Sequence, residues 1–382
     1  MNVSGIVVEY NPFHNGHLYH LNKVKEFTNP DLIIAITSGN FTQRGEISII
    51  NKFDKTKVAL ENGVDIVIEL PYIYTVQNAS VFGSKSVELL NKLKINNLVF
   101  GSETNNLEEL KDFASYNIEI DYLKEILDQG NSFPKAYGLL AGSLYPNDIL
   151  GIAYLKALEN TNIKPFLIQR TNSYHSEELA NIASAKAIRE AIKNNQDYKI
   201  ATPLTISSPI FNDDLYPYLQ RLLLTMDKNA LKDIFLVSEG IENLLISNTS
   251  KYDDYNSFIN ACVSRRYTKA RIQRICTHII NQISKAEVNK LEPLDYVRVL
   301  GFNKKGQEYL RQFRKNEDVK IVTQFKNIPD SYKQIEWKVA NLYATYTSDR
   351  KEYLKQELKG PIIIDWAFLN YLILSKCQMS FT

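Results

Sequence analysis

The stretch Gly5-Ile6-Val7-Val8-Glu9-Tyr10-Asn11-Pro12-Phe13-His14-Asn15-Gly16-His17-Leu18-Tyr19-His20 decides how the whole chain is read. Gly5–Glu9 is apolar on both faces, as suits a strand of a parallel sheet covered by helices. Asn11-Pro12 turns the chain, and a helical pattern starts near Gly16. Three of the chain's five histidines, His14, His17 and His20, lie within seven residues just past that turn. A glycine there lets a nucleotide approach the backbone, and a helix N-terminus offers free N–H groups and a positive dipole to phosphate. Two imidazoles at the turn can donate hydrogen bonds to an α-phosphate whose negative charge grows as pyrophosphate leaves. His14 and His17 are therefore the candidate catalytic residues, while His20 reads as a structural or surface group. The spacing His-x-x-His-x-x-His has zinc-ligand types but neither i, i+4 geometry nor a carboxylate or cysteine nearby, so no metal site is expected.

Working outward, the first 170 residues repeat this rhythm. Leu32–Thr37, Asp65–Leu70, Leu98–Gly101 and Phe166–Gln169 are further short apolar runs. Helical patterns lie between them at His17–Phe27, Phe53–Asn62, Ser80–Leu93, Leu107–Ala114 and Ile149–Leu158, with one more at Ser184–Lys193. The alternation predicts an α/β fold with a Rossmann-like, doubly wound parallel sheet. From about residue 205 strand signals fade. Asp214–Leu224, Glu242–Ile246, Tyr255–Val263, Thr268–Ile283 and Ser331–Tyr343 read as helices, and Pro203 with Ser207-Ser208-Pro209 reads as a linker. The expected organisation is a nucleotide-binding catalytic domain over 1–205 and a mostly helical, basic domain over 206–382.

Charge divides the same way. The 382 residues carry 45 Lys and Arg against 43 Asp and Glu, a net charge of +2. Residues 1–250 hold 22 basic and 29 acidic side chains (−7), whereas residues 251–382 hold 23 and 14 (+9). No acid occurs between Asp254 and Glu287, where Arg265, Arg266, Lys269, Arg271 and Arg274 cluster. Ile272, Ile275 and Ile279 form an apolar stripe on the Thr268–Ile283 helix, with Arg271, Arg274 and His278 on another face. A basic stretch without compensating acid predicts a phosphate backbone as partner. Lys304, Lys305, Arg311, Arg314 and Lys315 extend the track. Tyr267, Tyr296 and Tyr309 near it could stack bases, although core packing is the default for tyrosine.

Hydrophobic residues at 44% and charged residues at 23% exclude disordered and fibrous classes. Cys262, Cys276 and Cys377 form no CxxC pair, which points to a reducing compartment. The N-terminus lacks the basic region of a signal peptide, and no apolar run approaches the ~20 residues of a membrane helix. A cytoplasmic protein with no membrane contact is expected.

The motifs also carry a family resemblance. Gly5 to His17, Thr37-Ser38-Gly39-Asn40-Phe41-Thr42-Gln43-Arg44-Gly45-Glu46, Asn51-Lys52-Phe53-Asp54-Lys55 and Glu69-Leu70-Pro71 resemble signatures of the bacterial tRNA(Met) cytidine acetate ligases. Phe100-Gly101-Ser102-Glu103, Pro146-Asn147-Asp148-Ile149-Leu150-Gly151 and Tyr267-Thr268-Lys269-Ala270-Arg271-Ile272-Gln273-Arg274 follow in the same order, nearly end to end. The resemblance implies an ATP-dependent ligase of the HxGH nucleotidyltransferase superfamily. Acetate would attack the α-phosphate of ATP to give acetyl-adenylate and pyrophosphate. The acetyl group would then pass to N4 of wobble cytidine 34 in elongator tRNA(Met), giving N4-acetylcytidine. By resemblance the ATP site spans Val7 to His20 and is completed by Gly101, Asn147, Arg170 and Thr171. Magnesium is expected only as the companion of ATP.

Other residues are weighed against plainer roles. Asn40, Gln43 and Arg44 follow the second strand at the edge where open α/β sheets bind ligands, which favours substrate contact over a bland turn. Ser184-Ala185-Lys186-Ala187-Ile188-Arg189 stands where superfamily relatives carry a Ser-Ser-Thr-x-Ile-Arg phosphate grip. One hydroxyl is missing and Lys186 replaces Thr, so Ser184, Lys186 and Arg189 are either phosphate contacts or a surface helix. Lys52, Asp54 and Lys55 read as a helix start and solvated surface, Cys276 as core and His278 as surface. Two other functions use the same features: an adenylyltransferase acting on a small phosphate-bearing metabolite, and a non-catalytic tRNA-binding protein that keeps a nucleotide pocket. The first leaves the basic half unused, and the intact His14, Gly16 and His17 speak against the second.

Overall fold

A computed structural model describes residues 1–115, 145–170, 180–313 and 319–365. The five apolar runs become β1 (Val3–Val8), β2 (Leu32–Ser38), β3 (Ile66–Leu70), β4 (Asn97–Ser102) and β5 (Lys164–Gln169). They pair in parallel in the order β5-β4-β1-β2-β3. Every residue of β2 and β3 is buried, the signature of strands covered on both faces. Helices Asn15–Thr28, Lys52–Glu61, Ala79–Lys92, Leu107–Ser115, Pro146–Leu158 and Ala185–Lys193 fall where the sequence pattern put them, within a few residues at each end. Because β2 and β4 flank β1 on opposite sides, the connections leaving the carboxyl ends of β1 and β4 diverge over a crevice there. That switch point is where such sheets hold ligands.

After residue 205 the expected helices appear, including Asn212–Thr225, Ile241–Thr249, Tyr255–Cys262 and Lys269–Ile280. The expectation that strands end there is corrected. β6 (Tyr296–Asn303) pairs antiparallel with β3, and β7 (Lys320–Val322) and β8 (Ile362–Ile364) pair in parallel with the two halves of β6. All eight residues of β6 are buried. Its pattern was hidden by Arg298 and Gly301, which look foreign to a core strand. Gly301 is required because a Cβ there would lie 2.6 Å from Thr56 Cγ2.

Arg298 is tolerated because it closes a ring of four buried charges. Its Nη1 and Nη2 lie 2.8 and 2.7 Å from Glu69 and Glu357, and Lys52 Nζ lies 2.8 and 2.9 Å from the same two carboxylates. Two positive and two negative charges cancel, and each side chain is 8% exposed or less. Lys52 and Lys55 are thus buried rather than solvated, a second correction. Lys55 Nζ donates to the Gly39 carbonyl at 2.8 Å, and Asn51 rather than either lysine caps the helix. The ring joins β3 and the Lys52–Glu61 helix to β6 and the Arg350–Lys359 helix, so the two ends of the chain share one core.

Removing one member of such a ring leaves a buried charge uncompensated, at a cost of about 3–5 kcal/mol. Arg298→Met is therefore expected to lose that much stability in urea unfolding. A loss below about 1 kcal/mol would show the ring to be an ordinary surface-like pair set.

Candidate active site

The turn after β1 is built by its own histidines. Tyr10 sits at φ +49° and the Asn11–Pro12 peptide is cis, bringing His14 to the N-cap of the Asn15–Thr28 helix. The Gly16 N–H donates to His14 Nδ1 at 3.0 Å, and the His14 N–H donates to His17 Nδ1 at 3.2 Å. This is a capping box in which imidazoles do what Ser or Thr and Glu usually do. Accepting at Nδ1 fixes the tautomer and leaves Nε2–H as the donor of each ring. The rings stack with centroids 3.8 Å apart, and Tyr10 meets His17 edge-on at 4.7 Å. Gly16 has no room for a side chain, since a Cβ would come within 2.8 Å of the His14 ring.

Both rings are held neutral. Burial, then the Arg170 and Arg189 cations, depress His14 to about 3. Burial and the neighbouring His14 and His20 hold His17 well below its usual value. His20, read from the pattern as structural or surface and by resemblance as part of the ATP site, lines the same cleft and is depressed to about 4 by burial and Arg170. It contacts the Val99 backbone, and its Nε2 is buried without a hydrogen-bond partner among the described residues.

The cleft has a volume of about 280 Å³ and opens at the β1–β4 switch point. It brings together Val7, Val8, Glu9, Tyr10, Asn11, His14, Gly16, His17, Tyr19 and His20 with Gly101, Asn147 and Arg170 from the far side of β1. Gln43, Arg44, Ser184, Lys186 and Arg189 line it as well. Pro12, Phe13, Asn15 and Leu18 shape the turn from behind. Phe13 is buried and its carbonyl accepts from Thr202 Oγ1 at 2.6 Å, while Asn15 Nδ2 donates to the Asn181 and Ile200 carbonyls. Leu18 packs on the core. Thr171 lies outside the described residues.

Over β4 and β5 one carboxylate organises the wall. Glu103 accepts from the Asn147 N–H at 3.1 Å and from Asn147 Nδ2 at 2.5 Å, and lies 4.0 Å from Arg170 Nε. Asp148 is fully buried and accepts from Ser102 Oγ and the Glu103 N–H, which locks the loop after β4 to the Pro146–Leu158 helix. Sequence reasoning named Asn147 and Arg170 but not Glu103. Its adjacency to Gly101 at a strand's carboxyl end was the available signal.

Over β2 the Gly39–Ile47 loop forms the opposite wall. Gln43 N–H donates to Glu9 at 2.6 Å. Asn40 does not reach the cleft, a correction to its expected substrate contact. It donates to Tyr353 Oη at 2.5 Å and lines a separate space large enough for about one water. Arg189 donates to the Asn11 carbonyl at 2.8 Å and pairs with Glu46 at 3.2 Å, tying this loop to the histidine turn. Ser184 is the N-cap of the Ala185–Lys193 helix and accepts from the Ala187 N–H. That helix faces the cleft with its N-terminus, so a purely surface role does not describe it.

The same loop seats against the basic helix. Gly45 has φ +81° and packs so tightly that a Cβ would lie 2.5 Å from the Arg274 backbone nitrogen. Thr277 Oγ1 donates to the Gly45 carbonyl and Gln273 reaches Glu46 at 3.4 Å. His278, expected on the surface, is buried against Tyr72 and Phe235, with Nε2 3.0 Å from the Val76 carbonyl. Arg265, Arg266 and Lys269 are exposed and Arg271 is half-buried. Arg266 and Arg271 both pair with Glu239, at 3.2 and 3.1 Å, so an acid from outside the acid-free stretch partly compensates it. Arg274 turns inward, where burial and the Arg271 and Arg44 charges lower its pKa to about 10. Tyr267, Tyr296 and Tyr309 are core residues. Lys304, Lys305 and Arg311 are exposed, while Arg314 and Lys315 lie outside the described residues.

Residues 1–357 match the model of the HIGH nucleotidyl transferase family. The tRNA(Met) cytidine acetate ligase of Oceanobacillus iheyensis is 38% identical over 400 residues, covering 95% of this chain and all of the relative. The ligase of Limosilactobacillus reuteri is 36% identical, again over 95% of this chain and all of the relative. The chain belongs to the tRNA(Met) cytidine acetate ligase family. A crystal structure of Thermotoga maritima TmcAL bound with alpha-thio ATP superposes with a TM-score of 0.84 at 29% identity, covering 96% of this chain and all of that one. The apo form of the Thermotoga protein gives 0.85 at 28% identity. The fold described above is thus shared with the Thermotoga protein over 96% of this chain. No described helix is long and apolar enough to cross a membrane.

The neutral histidines make stability pH-dependent in one direction. His14, His20 and His278 sit at about 3, 4 and 4 in the fold, against about 6.5 when unfolded. Below about pH 6.5 the unfolded chain binds the extra protons, so stability is complete above that value and falls as pH drops towards about 4. Urea midpoints should follow this course, and His278→Gln should make the decline shallower. Identical pH profiles for the two proteins would contradict the buried neutral state of His278.

Proposed function

We propose that this protein activates acetate with ATP as acetyl-adenylate, releasing pyrophosphate, and transfers the acetyl group to N4 of wobble cytidine 34 of elongator tRNA(Met). The observation that carries the reading is the pair of neutral imidazoles whose Nδ1 atoms are spent on the helix cap, leaving two Nε2–H donors at a switch-point cleft. A neutral donor is suited to a phosphate oxygen whose charge builds in the transition state, since it needs no prior proton loss or gain. An acetate oxygen attacks the α-phosphorus, and the bond to pyrophosphate breaks. His14 and His17 stabilise the charge, helped by the N–H groups at the start of the Asn15–Thr28 helix.

In this reading ATP occupies the segment Val7 to His20 together with Gly101, Asn147, Arg170 and Thr171. Gln43, Arg44, Ser184 and Lys186 face its phosphates or the incoming carboxylate, and Arg189 serves them by holding the turn and the Glu46 loop together. Magnesium enters with the nucleotide. Glu9, Glu46 and Glu103 each accept hydrogen bonds from protein groups, and no three His, Cys, Asp or Glu side chains stand together as a metal site among the described residues. The ion's ligands are then the phosphates and water, and no step is assigned to it. Residues 1–205 carry the adenylation chemistry, and residues 206–382 offer the exposed Arg265, Arg266 and Lys269, with the half-buried Arg271 beside them, to the tRNA backbone in the cytoplasm.

Purified protein with ATP, acetate and elongator tRNA(Met) should produce N4-acetylcytidine, read by mass spectrometry of nucleosides. Acetate-independent turnover with a phosphomonoester would favour the adenylyltransferase alternative, and tRNA binding without turnover the non-catalytic one. His14→Ala and His17→Ala should each lower acetate-dependent pyrophosphate exchange by about 10²–10³, the loss expected for one transition-state donor. Unchanged exchange in both variants would remove the catalytic role assigned to them. Reversing charge at the exposed Arg266 and Lys269 should weaken tRNA binding and flatten its salt dependence by about two phosphate contacts. An unchanged salt slope would move the tRNA surface elsewhere.

A further inference from the structure

The cleft has two halves, and they differ in what they offer. Over β4 and β5 lie His20, Gly101, Asn147 and Arg170, the half assigned to the nucleotide. Over β2 lie Glu9, Thr42, Gln43 and Arg44, and this half adjoins the basic helix through Gly45. With tRNA on the basic helix, as proposed above, the acyl acceptor comes in over β2. N4 of cytosine is a poor nucleophile because its lone pair is delocalised into the ring, so attack on an acyl carbon requires a group to take its proton.

The structure restricts which group that is. His14 and His17 have no basic nitrogen left, because each accepts at Nδ1 and carries its proton on Nε2. His20 contacts the Val99 backbone of β4, on the nucleotide side. Glu46 is committed to Arg189 at 3.2 Å and Gln273 at 3.4 Å. Glu9 remains. It follows the last residue of β1, lines the cleft, and accepts from the Gln43 N–H through Oε1 at 2.6 Å, while Oε2 has no hydrogen-bond partner among the described residues.

We propose that Glu9 is the general base of acyl transfer, taking the proton of the acceptor's exocyclic amine through Oε2. N4 attacks the carbonyl carbon of acetyl-adenylate as its proton passes to Glu9, and a C–N bond forms. The C–O bond to AMP then breaks, and AMP leaves with the electron pair as its phosphate. Glu9 afterwards releases its proton to water. The environment suits the task. Burial raises the pKa of Glu9, while the Gln43 N–H, Lys55 below it and Arg44 across the loop pull it down and Glu46 pushes it up. Tyr154 of the Pro146–Leu158 helix also faces it. Lys55 is itself lowered to about 7 by burial, with Glu9 opposing the shift.

This role rests on the acetyl-transfer reading, and two half-reactions separate the claims. In the full-length protein, Glu9→Gln should lower single-turnover transfer from preformed acetyl-adenylate to tRNA by about 10²–10⁴, at least ~10-fold more than it lowers acetate-dependent pyrophosphate exchange. The acidic limb of the transfer rate, present in the wild type as Glu9 protonates, should disappear in Glu9→Gln and return in Glu9→Asp. Parallel loss of exchange and transfer, or transfer within about threefold of wild type, would overturn the role of Glu9 alone. A wild-type protein that shows exchange but forms no N4-acetylcytidine would overturn the underlying reading and the role with it.

Discussion

Everything distinctive about the site follows from how one helix start is capped. An exposed helix N-terminus leaves several N–H groups unpaired, and most proteins answer with a small hydroxyl or carboxylate. Here His14 and His17 answer with Nδ1. The consequence is chemical as well as structural. The hydrogen bonds that shape the turn also choose the tautomer, and burial keeps both rings neutral. Two N–H donors are then presented at the mouth of the sheet's switch point without the cost of reorganising during reaction. Gly16 belongs to the same arrangement, since any side chain would displace the ring that caps it.

The Gly39–Ile47 loop extends this geometry outward. Arg189 grips the histidine turn with one nitrogen and Glu46 with another, and Glu46 in turn meets Gln273 of the basic helix. The cleft and the basic surface therefore share a wall. A polyanion seated on that helix would have its acceptor base close to the β2 half of the cleft, next to Glu9. Near-neutral net charge thus conceals an uneven distribution along the chain, −7 over residues 1–250 and +9 over residues 251–382.

Buried charge marks the places where the sequence misled. Lys52, Lys55 and Arg298 have the appearance of surface residues, and His278 that of a helix exterior. Lys52 and Arg298 are inside because Glu69 and Glu357 meet them from distant parts of the chain, and Lys55 is inside because it donates to the Gly39 carbonyl. No local pattern encodes a pair such as Lys52 and Glu357, 305 positions apart. The same blindness hid β6, whose central arginine is intelligible only with both carboxylates in view, and it hid Glu239 as the counter-charge of Arg266 and Arg271.

The sequence by itself determined the parallel strands, nearly all the helices up to residue 280, the histidine turn and the family, because these depend on periodicity and on contiguous motifs. Gly101, Asn147 and Arg170 were legible for the same reason, each lying in or beside a short recognisable string. Only the tertiary structure decided that Asn40 faces away from the cleft, that Arg189 is a clamp, that Glu103 organises Asn147 and Arg170, and that Glu9 meets the Gly39–Ile47 loop through one carboxylate oxygen. Those facts depend on which groups satisfy one another across the fold. Hydrogen bonds and desolvation act between neighbours in space, and the order of residues along the chain does not specify those neighbours.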